Sequence, residues 1–93
     1  MGSVLIAGRI APQGRVYRPF GDFTVTRRDA GRYSVTAPGE DLSLGRVVAL
    51  LSAPEGTRVH YRGSTDEVEI HTVRADDGSY ADARVDFVIY KVA

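Results

Sequence analysis

Hydrophobic and polar residues alternate through most of this chain, most clearly over residues 23–38, FTVTRRDAGRYSVTAP. A period of two marks a strand with one buried face. Two such runs flank Asp29-Ala30-Gly31, and a three-residue loop ending in Gly closes a hairpin with that Gly in the left-handed region. This loop sets Arg28 opposite Arg32, Arg27 opposite Tyr33, Val25 opposite Val35 and Phe23 opposite Ala37. Phe23, Val25, Tyr33 and Val35 then share one face. Thr24, Thr26, Ser34 and Thr36 share the other. A four-residue loop would set Val25 against Ser34 and mix the faces, so the shorter loop is preferred.

The rest of the chain reads the same way. Residues 4–10 predict a first strand, which ends at Pro12-Gln13-Gly14. A short segment, 15–18, follows before Pro19. Residues 40–45 read as a crossing loop whose Leu42 and Leu44 plug the end of the core. Residues 46–52 are apolar on both faces, which predicts a central strand. A helix over 42–51 is the rival reading, and the Val47-Val48 pair, Gly45 and Pro54 disfavour it. A second hairpin follows. With Gly63-Ser64-Thr65-Asp66 as its loop, Arg62 faces Glu67, His60 faces Glu69 and Arg58 faces His71. Tyr61 then meets Val68, and Val59 meets Ile70.

Residues 84–92 predict the last strand. Val85, Phe87 and Ile89 alternate on one face, and Val88, Tyr90 and Val92 on the other. Pairing it with the strand before would place Ile70 by Phe87 and His71 by Asp86. A strand apolar on both sides needs cover on both. One set fills the core; a neighbouring subunit is the natural cover for Val88, Tyr90 and Val92. No stretch shows sustained helical periodicity, so the chain reads as one all-β domain, an antiparallel sandwich of six to seven strands.

Composition narrows the function. A chain of 93 residues makes one small domain that buries a modest share of its surface. It has no Cys, so core packing or association must stabilise it without disulfides. The formal net charge of zero argues against a nucleic-acid or anionic-membrane partner. The apolar run at 4–7 is too short for a signal sequence or a membrane span. Met1-Gly2-Ser3 has the look of an added leader, and the module is expected to be cut from a longer protein.

Candidate chemistry is sparse. His60 and His71 with Glu69 and Asp86 offer metal-ligand types but no ligand spacing, and read as a polar ladder. If copies met on that face, the two imidazoles would make a pH-sensitive contact. Asp76-Asp77-Gly78-Ser79 with Asp82 is oxygen-rich like a calcium loop, yet turn chemistry accounts for it. No metal or cofactor is expected. The chain has no Cys nucleophile, no Gly-x-Ser-x-Gly elbow and no phosphate loop, so no enzymatic role is expected. Arg27, Arg28 and Arg32 beside Tyr33 form a basic cluster at the first hairpin's tip.

Three stretches carry a resemblance: FTVTRRDAGRYSVTAPG, RVVALLSAPEG and DARVDFVIYKV. Together they resemble a short β-sandwich module of phage tail fibres and of bacterial surface and fibre proteins. The layout is similar to H-type lectin domains and to the globular heads of collagen-like proteins. The resemblance spans residues 8–92. It implies a homotrimer, an extracellular or fibre-associated setting, and binding of a glycan or cell-surface receptor in crevices between subunits. By chemistry, planar hydrogen-bonding groups and an aromatic wall suit a sugar. Arg58, His60, Arg62, Tyr80 and Asp82 are the residues of that kind expected to form the site. The expected function is therefore a non-enzymatic binding head. A purely structural trimerising or capping module is the alternative, and a small single-strand nucleic-acid binder is a more distant one.

Overall fold

The computed structural model describes residues 3–43 and 45–92. Eight strands follow in order: β1 Ser3–Ile10, β2 Val16–Phe20, β3 Thr24–Asp29, β4 Arg32–Thr36, β5 Val47–Ser52, β6 Thr57–Gly63, β7 Val68–Arg74 and β8 Val85–Lys91. They form two four-stranded sheets of order β2-β1-β8-β5 and β3-β4-β7-β6, with every pairing antiparallel. The sheets face each other over one core, the layout of a sandwich. The strand beyond the expected six or seven is β2. It contains Pro19, which an edge strand tolerates because its outer side needs no amide hydrogen.

The core is the inward half of each alternation. Ile6, Ile10, Val47, Val85, Phe87 and Ile89 meet Tyr33, Val35, Val68 and Ile70 from the other sheet. Phe23 sets its ring edge-on to Phe87, with centroids 5.4 Å apart, and such pairs add to plain burial. Leu42 is fully buried, as the crossing loop required. Leu44 lies outside the described residues.

The first hairpin keeps the expected register from Thr24↔Thr36 to Arg27↔Tyr33. At the tip it differs. Asp29, not Arg28, faces Arg32, and the ladder shifts between Arg27 and Asp29. Arg28 is therefore the extra residue of a bulge. The bulge removes the like-charge facing pair and sends Arg28 to Glu67 and Arg32 to Glu69. Gly31 turns the chain at φ 69°.

Three other expectations are corrected. The second hairpin pairs His60 with His71, Arg62 with Glu69 and Tyr61 with Ile70, two residues out of the expected register. A slip of two leaves every side chain on its own face, so alternation cannot detect it. The turn decides it: the Ser64 amide donates to the Glu67 carbonyl at 2.8 Å, making residues 64–67 the loop. Next, β7 and β8 do not pair, since they lie in different sheets. Asp86 faces Arg9 instead, at 2.7 Å. Finally, β5 is an edge strand whose one neighbour among the described residues is β8. Its second apolar face, Val48 and Leu50, points to solvent rather than into a sheet interior.

Gly31 gives a direct check on this frame. A Cβ there would lie 2.4 Å from the Thr72 carbonyl oxygen and 2.8 Å from the Ala81 amide nitrogen, with the backbone in the left-handed region. Gly31→Ala is expected to cost roughly 2–4 kcal/mol in urea unfolding. A loss below about 1 kcal/mol would show that the turn relaxes freely.

Candidate functional site

The two outer faces differ in kind. On the second sheet, alternation sends Arg32 and Ser34 of β4, Glu69 and His71 of β7, and Arg58, His60 and Arg62 of β6 outward. The ladder pairs them in rows, Ser34–Glu69–Arg62 and Arg32–His71–His60. Ser34 and His71 are buried even so, because longer side chains lie over them. The Ser34 hydroxyl donates to the Glu67 carboxylate at 2.6 Å. Glu67 also accepts from Arg28 at 3.2 Å, and Glu69 from Arg32 at 3.2 Å.

His71 sits at the centre of this face. One of its nitrogens, Nε2, contacts the Glu69 carboxylate. A carboxylate accepts, so that nitrogen is the donor of this contact. Nδ1 lies 3.2 Å from Nε2 of His60 and 3.3 Å from the Tyr80 hydroxyl. The three rings stack edge-to-face, His60 on His71 at 4.9 Å and His71 on Tyr80 at 5.4 Å between centroids. Donation from His71 and Arg32 holds the Glu69 carboxyl below its ordinary range, against partial burial.

A cleft of about 270 Å³ opens beside this cluster, lined by Arg32, Arg62, Gly63, Ser64, Glu67 and Glu69. Four guanidiniums (Arg28, Arg32, Arg58, Arg62) share the face with two carboxylates, Glu67 and Glu69, so its fixed charge is positive. Arg58 donates to the Ala75 carbonyl at 3.3 Å. A wider depression of about 490 Å³ lies between residues 36–41 and 65–66. Its charged groups are Glu40, Asp41 and Asp66, and it has no aromatic wall.

The structure thus brings Arg58, His60, Arg62 and Tyr80 onto one face. Asp82 stands elsewhere, at the tip of the first hairpin. Its carboxylate accepts from Nε of Arg27 at 3.0 Å and from the Gly31 amide at 2.8 Å. Arg27 first, and the Gly31 amide after it, hold this carboxyl below its ordinary value. Tyr33 reaches the same corner from the core and donates its hydroxyl to the Pro12 carbonyl at 2.6 Å. Asp82 therefore ties a turn in place. In the oxygen-rich loop at 76–79, Asp77 accepts from the Ser79 amide and hydroxyl at 2.9 and 2.7 Å, and Asp76 pairs with Arg74 at 3.0 Å. Among the described residues, no three His, Asp or Glu side chains converge on a common point.

The outer face of the first sheet is apolar. Phe20, Ala7, Val88 and Leu50 stand side by side across β2, β1, β8 and β5. Val4, Tyr90 and Val48 form a second row. A polar row, Tyr17–Arg9–Asp86–Ser52, borders them. Val88 and Tyr90 are half-buried, while Phe20, Leu50, Val48 and Val92 are exposed at 58%, 57%, 45% and 43%. Sequence reasoning named Val88, Tyr90 and Val92 but not Phe20, Ala7, Val48 or Leu50. For Val48 and Leu50 the signal is the double-faced run at 46–52.

No family model, curated protein or solved structure matches this chain.

The pH behaviour of the polar face follows from Glu69. Its folded carboxyl is shifted down, so the stabilisation it gives is complete above the ordinary carboxylate range and fades as pH falls through the folded value. Glu69→Gln should cost about 1–2 kcal/mol at pH 7 through the lost charge-assisted bonds. The gap to wild type should narrow in urea titrations below about pH 4. A gap that stays constant with pH would show that the Glu69 charge contributes nothing.

Proposed function

We propose that this module is a non-enzymatic head that assembles with copies of itself through the outer face of its first sheet. The second sheet then offers a cationic face to an acidic receptor or glycan. The observation that carries the reading is the pair of apolar rows, Phe20–Ala7–Val88–Leu50 and Val4–Tyr90–Val48. Folded domains rarely leave a contiguous apolar area of this kind to water without a use for it. Covering it releases roughly 25 cal/mol per Å² of apolar surface, before the cost of association is subtracted. The resemblance to oligomeric fibre-head modules points the same way.

The ligand half of the reading rests on the other face. Arg58 and Arg62 flank His60 along β6, and Tyr80 stands 49% exposed beside them. Fixed guanidiniums recognise carboxylate or sulfate groups, and an exposed phenol ring can stack on a sugar. A purely structural assembly module would need the apolar rows but not this cationic edge.

Val88→Glu tests the assembly. The side chain points away from the core, so far-UV circular dichroism should be unchanged. An unpaired carboxylate in the interface should be strongly destabilising to the assembly. Light scattering should give the wild type a mass well above the 10.1 kDa of one chain, and the variant a clearly smaller mass than the wild type. Arg62→Ala, on the opposite face, should leave the assembly intact. A wild type that is monomeric, or a variant that keeps its mass, would contradict the reading.

A further inference from the structure

The sandwich has four edge strands: β2 and β5 in one sheet, β3 and β6 in the other. An edge is a row of unpaired amides and carbonyls, and natural sheets blunt it with proline, bulges or charge. Three edges here carry such devices. In β2, Pro19 lacks an amide hydrogen and Arg18 is forced to φ 50°. In β3, the ladder shifts at Arg28 and the strand ends in Arg27, Arg28 and Asp29. In β6, Arg58, His60 and Arg62 place a polar group at every second position. The fourth edge carries none. β5 reads Val-Val-Ala-Leu-Leu-Ser, without charge, proline or glycine, and pairs with β8 in an unbroken register.

The hydrogen bonds show which groups of β5 face outward. The Val47 amide turns back to the Ser43 carbonyl, and the Ala49 amide meets, among the described residues, the Tyr61 hydroxyl at a long 3.4 Å. The Arg46 carbonyl, one residue earlier, faces the other way and accepts from Val92. Backbone direction alternates along an antiparallel strand. Ala49 and Leu51 therefore present their amides and carbonyls to the open edge.

We infer that β5 pairs antiparallel with β5 of a second copy, joining two four-stranded sheets into one eight-stranded sheet across a two-fold axis. One open edge per copy permits only this isologous pairing, because a head-to-tail arrangement would need one of the blunted edges. Centring the axis on Ala49 sets Val48 opposite Leu50 and Val47 opposite Leu51 of the partner copy. Every facing pair is then apolar, and Ala49 exchanges both backbone bonds with its own copy. The strand carbonyl replaces the long contact to Tyr61. The inference rests on the self-assembly reading above and adds to it a second, edge-to-edge contact: the joined sheet carries both copies' apolar rows side by side, Val48 and Leu50 meeting at the axis, and leaves Phe20, Val88 and Tyr90 for the face-to-face contact. A dimer of this kind departs from the three-fold assembly that the resemblance implies.

Hydrogen exchange of the wild-type protein, read amide by amide by NMR from micromolar to millimolar concentration, tests the pairing without a mutation. Once about nine-tenths of the chain is dimeric, exchange at Leu51 and Ala49 should slow roughly tenfold, since it then proceeds from the residual monomer. Val48 and Leu50, already bonded to β8, should change little. The register has its own test, because the chain has no native Cys. Val48→Cys and Leu50→Cys, mixed in equal amounts and oxidised, should yield mostly the mixed disulfide, well above the statistical half. Facing non-hydrogen-bonded positions lie within disulfide reach and the diagonal ones do not. An oligomer, a trimer included, whose Leu51 amide exchanges freely at every concentration would overturn the edge pairing and leave face-to-face assembly standing. A monomer up to millimolar concentration would overturn both.

Discussion

A strand that is apolar on both faces needs cover on both, and β8 sets that demand at the centre of the first sheet. Its inward residues, Val85, Phe87 and Ile89, are fully buried and meet Tyr33, Val35, Val68 and Ile70 across the sandwich. Its neighbours β1 and β5 take the same alternation, so Ile6, Ile10, Val47 and Ala49 complete the core. The same alternation carries Ala7, Val48 and Leu50 to the outside beside Val88 and Tyr90. The core and the exposed apolar face are thus two consequences of one pattern. A chain of this size, with no disulfide, gains much from burying that second face as well.

The second sheet meets the same geometric problem with polar side chains. Its outer face would leave Ser34 and His71 buried without partners, were they not bonded to Glu67, Glu69, His60 and Tyr80. Arg28 and Arg32 hold the two carboxylates in place. Each exposed ion pair contributes little by itself. Their value lies in satisfying groups that burial would otherwise leave unpaired. The face keeps a positive surplus along β6, where Arg58 and Arg62 flank the histidine pair. One sheet therefore presents an apolar outer face and the other a charged, largely cationic one.

Much of this was legible in the alternation, because parity fixes which side of a strand faces the core. Phe23, Val25, Tyr33 and Val35 fall on one face as expected, and so do Val85, Phe87 and Ile89. Parity fixes nothing further. The second hairpin slips by two residues at no cost to its faces, and only the Ser64–Glu67 bond chooses the register. Placing β7 and β8 side by side fails because the intervening loop crosses from one sheet to the other. Residues 46–52 misled for a physical reason: an apolar face left outside a sheet and one buried in a sheet interior carry the same signature in sequence. Arg58, His60, Arg62 and Tyr80 lie on one face, while Asp82 belongs to the turn at Gly31.

Hydroxyl-radical footprinting across a concentration series measures cover on the first sheet's outer face most directly. If copies of the chain cover that face, labelling of Phe20, Leu50 and Tyr90 falls as concentration rises, while Tyr80 on the opposite face labels at a constant rate. Constant labelling at Phe20 and Leu50 throughout would mean that the apolar face stays open to water, and would contradict the account at its centre.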